Sequence, residues 1–143
     1  MSIKILIASD HAGFDLKKKL IEKMPKDTFV DLGTDSDKSV DYSDYANKLA
    51  SKISKNNKKK GVLICGSGVG MSVAANKHRN IRAGLVYNSE VAKLIREHND
   101  ANILVLPGRY MDIKEAKKCI KNFISSSFKG GRHKRRLNKI NDK

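Results

Sequence analysis

Short apolar runs alternate with amphipathic stretches along this chain. The run at 3–8 is apolar and β-branched, and it reads as a buried strand. After the polar turn SDHAGFD, apolar Leu16, Leu20, Ile21 and Met24 predict a helix over 14–24, which Pro25 helps to end. Residues 28–32 give a second strand closed by Gly33, and the polar loop TDSDKSVD follows. Tyr42, Tyr45, Ala46, Leu49, Ala50 and Ile53 fall at i, i+3, i+4, i+7, i+8 and i+11, the spacing of one helix face. Beyond the polar SKNNKKKG, residues 62–65 predict a third strand, and a helix begins inside a glycine turn and runs to about 77. A fourth strand is predicted at 81–87, and then a helix over 90–98 capped by Asn88 or Ser89. A fifth strand at 102–106 ends at Pro107-Gly108. Asp112 then caps a helix carrying Ile113, Ala116, Ile120 and Phe123. The breaker pair Gly130-Gly131 precedes a final helix over about 133–140.

Five strand–helix alternations with short apolar strands argue for a parallel sheet covered by helices on both faces. The predicted fold is α/β: a single-domain, three-layer α/β/α sandwich with a five-stranded, parallel, Rossmann-like sheet and a C-terminal helix. No internal repeat or linker divides it, so residues 1–143 form one domain. In such sheets the ligand site lies beyond the carboxyl ends of the strands. Those ends carry Ser9-Asp10-His11, Gly33-Thr34-Asp35, Cys65-Gly66-Ser67, Tyr87-Asn88 and Pro107-Gly108-Arg109.

Composition narrows the class. A 143-residue chain with 39% apolar residues can bury a sizeable core and is not disordered as a whole. No run is long enough for a membrane span, and the N-terminus passes directly into a strand pattern rather than a signal peptide; a cytoplasmic location is expected. The net charge of +15 comes from 30 basic and 15 acidic residues. Most of the excess is lysine, at Lys17, Lys18, Lys19, Lys23, Lys52, Lys55 and 58–60, and it reads as solvated helix faces and a loop. No aromatic residues interleave it as a single-strand nucleic-acid face would require. The tail differs, with Arg132, His133, Arg135 and Arg136 clustered. The two cysteines form no CxxC pair and no ligand cluster. Cys119 falls in a helical pattern as a small buried hydrophobe. Cys65 opens the glycine turn in LICGSGVGMSVAANK.

That turn fits no nucleotide fingerprint. The dinucleotide motif needs glycine where Met71 stands, and the P-loop needs a Gly-Lys-Ser/Thr that is absent. What remains is a strand, a turn permitting close backbone approach, and a helix start whose free amides favour negative charge. The same field stabilises thiolate over thiol, and a thiolate can act as nucleophile or base. The neighbours have ordinary explanations singly: Asp10 as a cap, His11 as a surface histidine, His98 answering a helix dipole, Arg109 as a loop arginine, Arg132 and Arg136 as a solvated tail. Together they offer a base, an aspartate, histidines and arginines for one small anion.

The segments SDHAGFDLK, DYSDYA, ICGSGVGMSVAANK, REHNDANIL and GGRHKRRL resemble the ribose-5-phosphate isomerase B family, from residue 3 to about 140. The wider family includes galactose-6-phosphate and allose-6-phosphate isomerases. The resemblance implies interconversion of ribose 5-phosphate and ribulose 5-phosphate, in the non-oxidative branch of the pentose phosphate pathway. It implies no metal, no organic cofactor, no nucleic acid and no membrane partner. It also implies a homodimer or tetramer with its site at a subunit interface. Cys65 matches the catalytic base of one branch; another branch uses a glutamate at the position of Met71, which cannot take a proton here. His98 matches the ring-opening residue, assisted by Asp10 and Ser67. Asn99 and the backbone of Gly66, Ser67, Gly68, Val69 and Gly70 match the groups around the developing oxyanion. His11, Arg109, Arg132 and Arg136 match sugar- and phosphate-contacting positions, so the basic segment 129–143 is expected to serve phosphate binding and dimer contacts.

This reading requires Cys65 to open onto a cavity and to share an end of the sheet with His98 and Arg109. Its rivals are an isomerase of a six-carbon sugar phosphate, a nucleic-acid module using the basic tail, and a redox protein built on Cys65. Presence of His98 speaks against the galactose-6-phosphate type, and the redox reading lacks a resolving cysteine.

Overall fold

A computed structural model describes residues 4–141. Its elements are β1 (Ile5–Ser9), α1 (Phe14–Lys23), β2 (Phe29–Asp31), α2 (Tyr42–Ser54), β3 (Gly61–Cys65), α3 (Val69–Ala75), β4 (Ala83–Leu85), α4 (Ser89–Glu97), β5 (Ile103–Pro107), α5 (Ile113–Ser125) and α6 (Arg132–Asn141). The expected strand start at Ile3 lies outside the described residues. All strand pairs are parallel, in the order β2-β1-β3-β5-β4. The chain leaves β1 toward one edge and returns to β3 on its other side, so the switch point lies between β1 and β3.

Period-2 alternation divides the strands between two cores. Ile5, Ile7, Val62, Ile64, Leu104 and Leu106 face α1, α4 and α5, packing with Leu16, Leu20, Ala92, Ile95, Ala116, Cys119, Ile120 and Phe123. Leu6, Ala8, Leu63, Cys65, Ile103 and Val105 face α2 and α3, with Ala46, Leu49, Ala50, Ile53, Met71 and Ala75. Each large aliphatic side chain so buried contributes about 1.5–3 kcal/mol. The helix caps form as expected: Asn88 Oδ1 accepts from the Val91 N–H at 2.9 Å, and Asp112 Oδ1 from the Glu115 N–H at 2.8 Å.

Two expectations need correction. The fourth strand is shorter than 81–87, because side-chain amides replace ladder partners at its start. Asn102 Oδ1 accepts from the Arg82 N–H at 2.9 Å and Asn76 Oδ1 from the Ala83 N–H at 2.8 Å. Lys17 is also not a solvated lysine. It is 1% exposed, and its Nζ donates to Asp31 Oδ1 at 2.6 Å and to the Thr34 carbonyl at 2.7 Å. A buried ammonium is tolerable only with such partners, and these tie the exit of β2 to α1.

The left-handed pair Gly130 (φ 68°) and Gly131 (φ 61°) turns the chain from α5 into α6. Leu137 is buried, and the Lys129 N–H donates to the Glu97 carbonyl at 3.0 Å, so the C-terminal segment lies against the end of α4. No helix among the described residues is long and apolar enough to cross a membrane.

Candidate active site

The turns after β1, β3 and β5 converge at the switch point. A Cβ added to Gly13 would overlap the Ile64 carbonyl, and one added to Gly108 would lie 3.2 Å from the Ala12 oxygen and 3.3 Å from the Cys65 oxygen. The Gly108 N–H donates to the Cys65 carbonyl at 2.7 Å and the Arg109 N–H to the Gly66 carbonyl at 3.0 Å. Arg109 runs over Gly66, where an added Cβ would come within 3.2 Å of its Nη1. Arg109 and the cysteine turn therefore share one end of the sheet. Cys65 itself is 5% exposed, between the core under α2 and α3 and this carboxyl edge.

The glycine turn is held open by local bonds. Ser67 Oγ accepts from the Val69 N–H at 3.2 Å, which leaves its own hydroxyl proton to donate outward, and the Ser67 carbonyl accepts from Tyr87 Oη at 2.8 Å. Gly68 has φ +82° at the N-cap of α3. The first-turn amides that follow have no intrahelical acceptor. Gly68→Ala combines a left-handed penalty with overlap of Leu85 Cδ1. It is expected to cost about 2–4 kcal/mol in urea unfolding. A loss below about 1 kcal/mol would contradict the left-handed turn.

Asp10 is buried, and its Oδ1 accepts from the Gly13 N–H at 3.0 Å, so the aspartate does cap its turn. His11 Nδ1 accepts from the Val40 N–H at 3.2 Å. A backbone N–H can only donate, so in the neutral ring the proton sits on Nε2, which is left for a ligand. Met71 is fully buried in the core, where a side chain without a proton-accepting group belongs. Two contacts escaped the sequence reading. Helical spacing places Tyr42 on the apolar face of α2, yet it is 44% exposed and its ring covers Gly70, whose added Cβ would lie 2.6 Å from Cε1. Tyr87 bonds the turn from β4. The motif DYSDYA was the only signal for Tyr42, because helical spacing does not separate the first turn from the buried ones.

The remaining residues gather elsewhere. His98 is the C-cap of α4, and Asn99 follows it. Helices of a parallel sheet run back toward the strand starts, so His98 and Asn99 lie at the amino edge, before Ile103. One β5 length of four steps, about 13 Å, separates that edge from the edge of Cys65. The expectation that Cys65 shares an end of the sheet with His98 and Arg109 thus holds for Arg109 and is overturned for His98. The cavities lined by Asn99, by Lys60, by Thr34 and by Lys117 do not include Cys65, which is 5% exposed, against the expectation that it opens onto one. A cavity of about 380 Å³ beside Asn99 is lined by Asn76, Arg82, Gly84, Ile95 and Leu137, and it does not include Cys65. The His98 ring stacks on His133 with centroids 4.4 Å apart, which sets the arginine-bearing α6 beside His98. One chain therefore carries two partial constellations. Asp10, His11, Cys65, Gly66, Ser67, Gly68, Val69, Gly70 and Arg109 stand at the carboxyl edge, and His98 and Asn99 stand at the amino edge beside the helix bearing Arg132 and Arg136.

The His133 imidazole is held below its ordinary range, first by desolvation against its neighbours and then by the charges of His98, Arg132, Arg136 and Lys129. Between the unfolded value near 6.5 and the lowered folded one, the unfolded chain binds more protons, so stability falls with acidification across that window. A proton NMR titration should show a depressed His133 midpoint that moves upward in His98→Ala. An unmoved midpoint would contradict the stack. Cys119, by contrast, is pushed up to about 12 by burial and then by Glu115, as suits a core thiol. Among the described residues, no three His, Cys, Asp or Glu side chains are grouped to hold a metal ion.

Comparison with known proteins gives concordant likenesses. A family model described as Ribose/Galactose Isomerase matches residues 5–140. The Mycoplasma genitalium protein named "Probable ribose-5-phosphate isomerase B" is 44% identical over 144 residues, covering 98% of this chain and 95% of that protein. A crystal structure of the Thermotoga maritima ribose 5-phosphate isomerase superposes with a TM-score of 0.92 at 47% identity, over 100% of both chains. The Mycoplasma genitalium enzyme with bound ribulose 5-phosphate gives a TM-score of 0.92 at 43% identity, over 99% of this chain and 96% of that one.

Proposed function

Because this chain belongs to the ribose/galactose isomerase family, we propose that it interconverts ribose 5-phosphate and ribulose 5-phosphate, with Cys65 as the base. The observation that carries the proposal is the meeting of Cys65, the Gly66–Ser67–Gly68 turn, Arg109 and the Asp10–Gly13 turn at the switch point of the sheet. The named relatives, one with bound ribulose 5-phosphate, support the choice of substrate.

Moving a carbonyl between C1 and C2 requires loss of a proton from the carbon beside it. The closed sugar first opens: its anomeric hydroxyl loses a proton and the ring oxygen gains one, a step given to His98. The Cys65 sulfur then takes the C2 proton, and the electron pair moves onto the carbonyl oxygen to give an enediolate. Amides of the glycine turn and the Ser67 hydroxyl stabilise that oxyanion; removing one such donor in comparable sites costs about 2.7–4 kcal/mol. The sulfur returns the proton to C1 while the O2 proton passes to O1. Arg109, Arg132 and Arg136 hold the phosphate, and His11 Nε2 donates to the sugar phosphate.

Since His98 and Cys65 stand at opposite edges of one chain, the working site is assembled from two. The carboxyl edge of one protomer is completed by His98, Asn99, Arg132 and Arg136 of the partner subunit. The direct test is turnover of ribose 5-phosphate by the full chain beside allose 6-phosphate. The proposal expects a clear preference for the five-carbon substrate; turnover of the six-carbon substrate alone would refute it. Arg132→Ala or Arg136→Ala should raise KM about tenfold or more, the size of one lost charge-assisted phosphate contact, with a smaller change in kcat. An effect confined to kcat would contradict the phosphate role.

A further inference from the structure

The amino edge of the sheet holds a second polar cavity, of about 420 Å³, that the isomerase reading does not use. It is lined by Asn57, Lys59, Lys60, Asn80, Arg82, Arg96, Asp100 and Asn102. Four cations face one carboxylate, and that carboxylate is already shared. Arg96 Nη1 donates to Asp100 Oδ1 at 2.8 Å and Arg82 Nη2 to Asp100 Oδ2 at 3.3 Å. Arg82 Nε spends its hydrogen on the carbonyls of Asn99 and Asp100, at 3.1 and 2.9 Å. Arg96 is 8% exposed, yet among the described residues its Nε meets no acceptor, and only Nη1 of its guanidinium is bonded, to Asp100 and to the Ala101 carbonyl.

A structural network holding the 99–101 turn explains Asp100 and one side of each guanidinium. It does not explain a buried guanidinium with donors to spare, or two lysines brought to the same cavity. Buried charge without a counter-charge is costly. The Lys60 ammonium shows the surplus: it is held below its ordinary range, first by burial and then by the positive charge of Arg96, with Asp100 opposing.

We propose that this cavity is an anion site for a phosphate-type dianion, held by Lys59, Lys60, the free Nη1–Nη2 edge of Arg82 and Nη2 of Arg96. A planar guanidinium suits bidentate phosphate contact, and the two lysines supply point charge. None of the four is among the residues given to the sugar phosphate above. The site does not depend on the isomerase reading, although Arg82 also holds the Asn99 carbonyl and lines the cavity beside Asn99.

Equilibrium dialysis of radiolabelled orthophosphate against the full-length Arg109→Ala/Arg132→Ala/Arg136→Ala chain, at fixed ionic strength, removes all three arginines of the proposed substrate phosphate site. About one phosphate per chain should remain bound. Adding Lys59→Gln and Lys60→Gln, both on the rim rather than in the core, should weaken it at least tenfold with the circular dichroism spectrum unchanged. Arg96→Lys, which keeps the charge and loses the Nη2 donor, should weaken it as well. Retention of ribose 5-phosphate with equal affinity would identify the phosphoryl group of a metabolite as the ligand, and retention of orthophosphate alone would identify the free ion. The Lys59→Gln/Lys60→Gln change in an otherwise unaltered chain should leave isomerase turnover unchanged, which separates this site from catalysis. Absence of bound phosphate in the arginine variant, or affinity unmoved by the lysine changes, would overturn the proposal.

Discussion

Replacing Cys65 with alanine is expected to lower kcat by a factor of about 10²–10⁴, the span contributed by a positioned acid–base group. The sulfur ends β3 at the carboxyl edge, and no carboxylate can take its place there, because residues 66–71 (GSGVGM) contain neither aspartate nor glutamate. Packing and chemistry are separable here. Cys65 lies in the core cluster with Ala8 and Met71, so losing its sulfur also costs stability, about 1 kcal/mol for so small a truncation. Cys65→Ser keeps most of the volume and removes most of the basicity. Both variants should fold, as read by circular dichroism and urea midpoint, and both should be inactive. KM should change little, because the phosphate arginines remain. Full turnover in Cys65→Ala would remove the sulfur from the mechanism.

Much of this architecture was legible in the residues themselves. The central strands β1, β3 and β5 are short and almost wholly apolar, and their burial on both faces follows from composition. Asn88 and Asp112 announced their helices because a capping side chain must stand one residue before the helix. Other features depend on pairings that no local pattern encodes. β4 lies outside β5 rather than beside β3, and nothing in AGL says so. Lys17 looks like any lysine on an amphipathic helix until Asp31 and the Thr34 carbonyl arrive from β2 and its exit loop. The position of His98 follows from the topology rather than from its motif: a residue ending a helix in a parallel α/β sheet belongs to the amino edge.

That placement leads to the second large effect. If each site takes Cys65 from one protomer and His98 from the other, no chain is active alone. Cys65→Ala and His98→Ala homodimers should then both be nearly inactive. In a heterodimer of the two, one site receives both substitutions and the other receives neither. The unaltered site combines Cys65 of the His98→Ala chain with His98 of the Cys65→Ala chain. Two inactive proteins thus hold between them all the parts of a working one, which no arrangement within a single chain allows.

The measurement is ribose 5-phosphate turnover after the two variants are unfolded together in equal amounts and refolded as a mixture. Random pairing makes half the dimers mixed, each with one intact site of two, so activity should recover to about a quarter of the unaltered protein's. Recovery no greater than the sum of the two variants refolded separately would contradict a site built across subunits from Cys65 and His98.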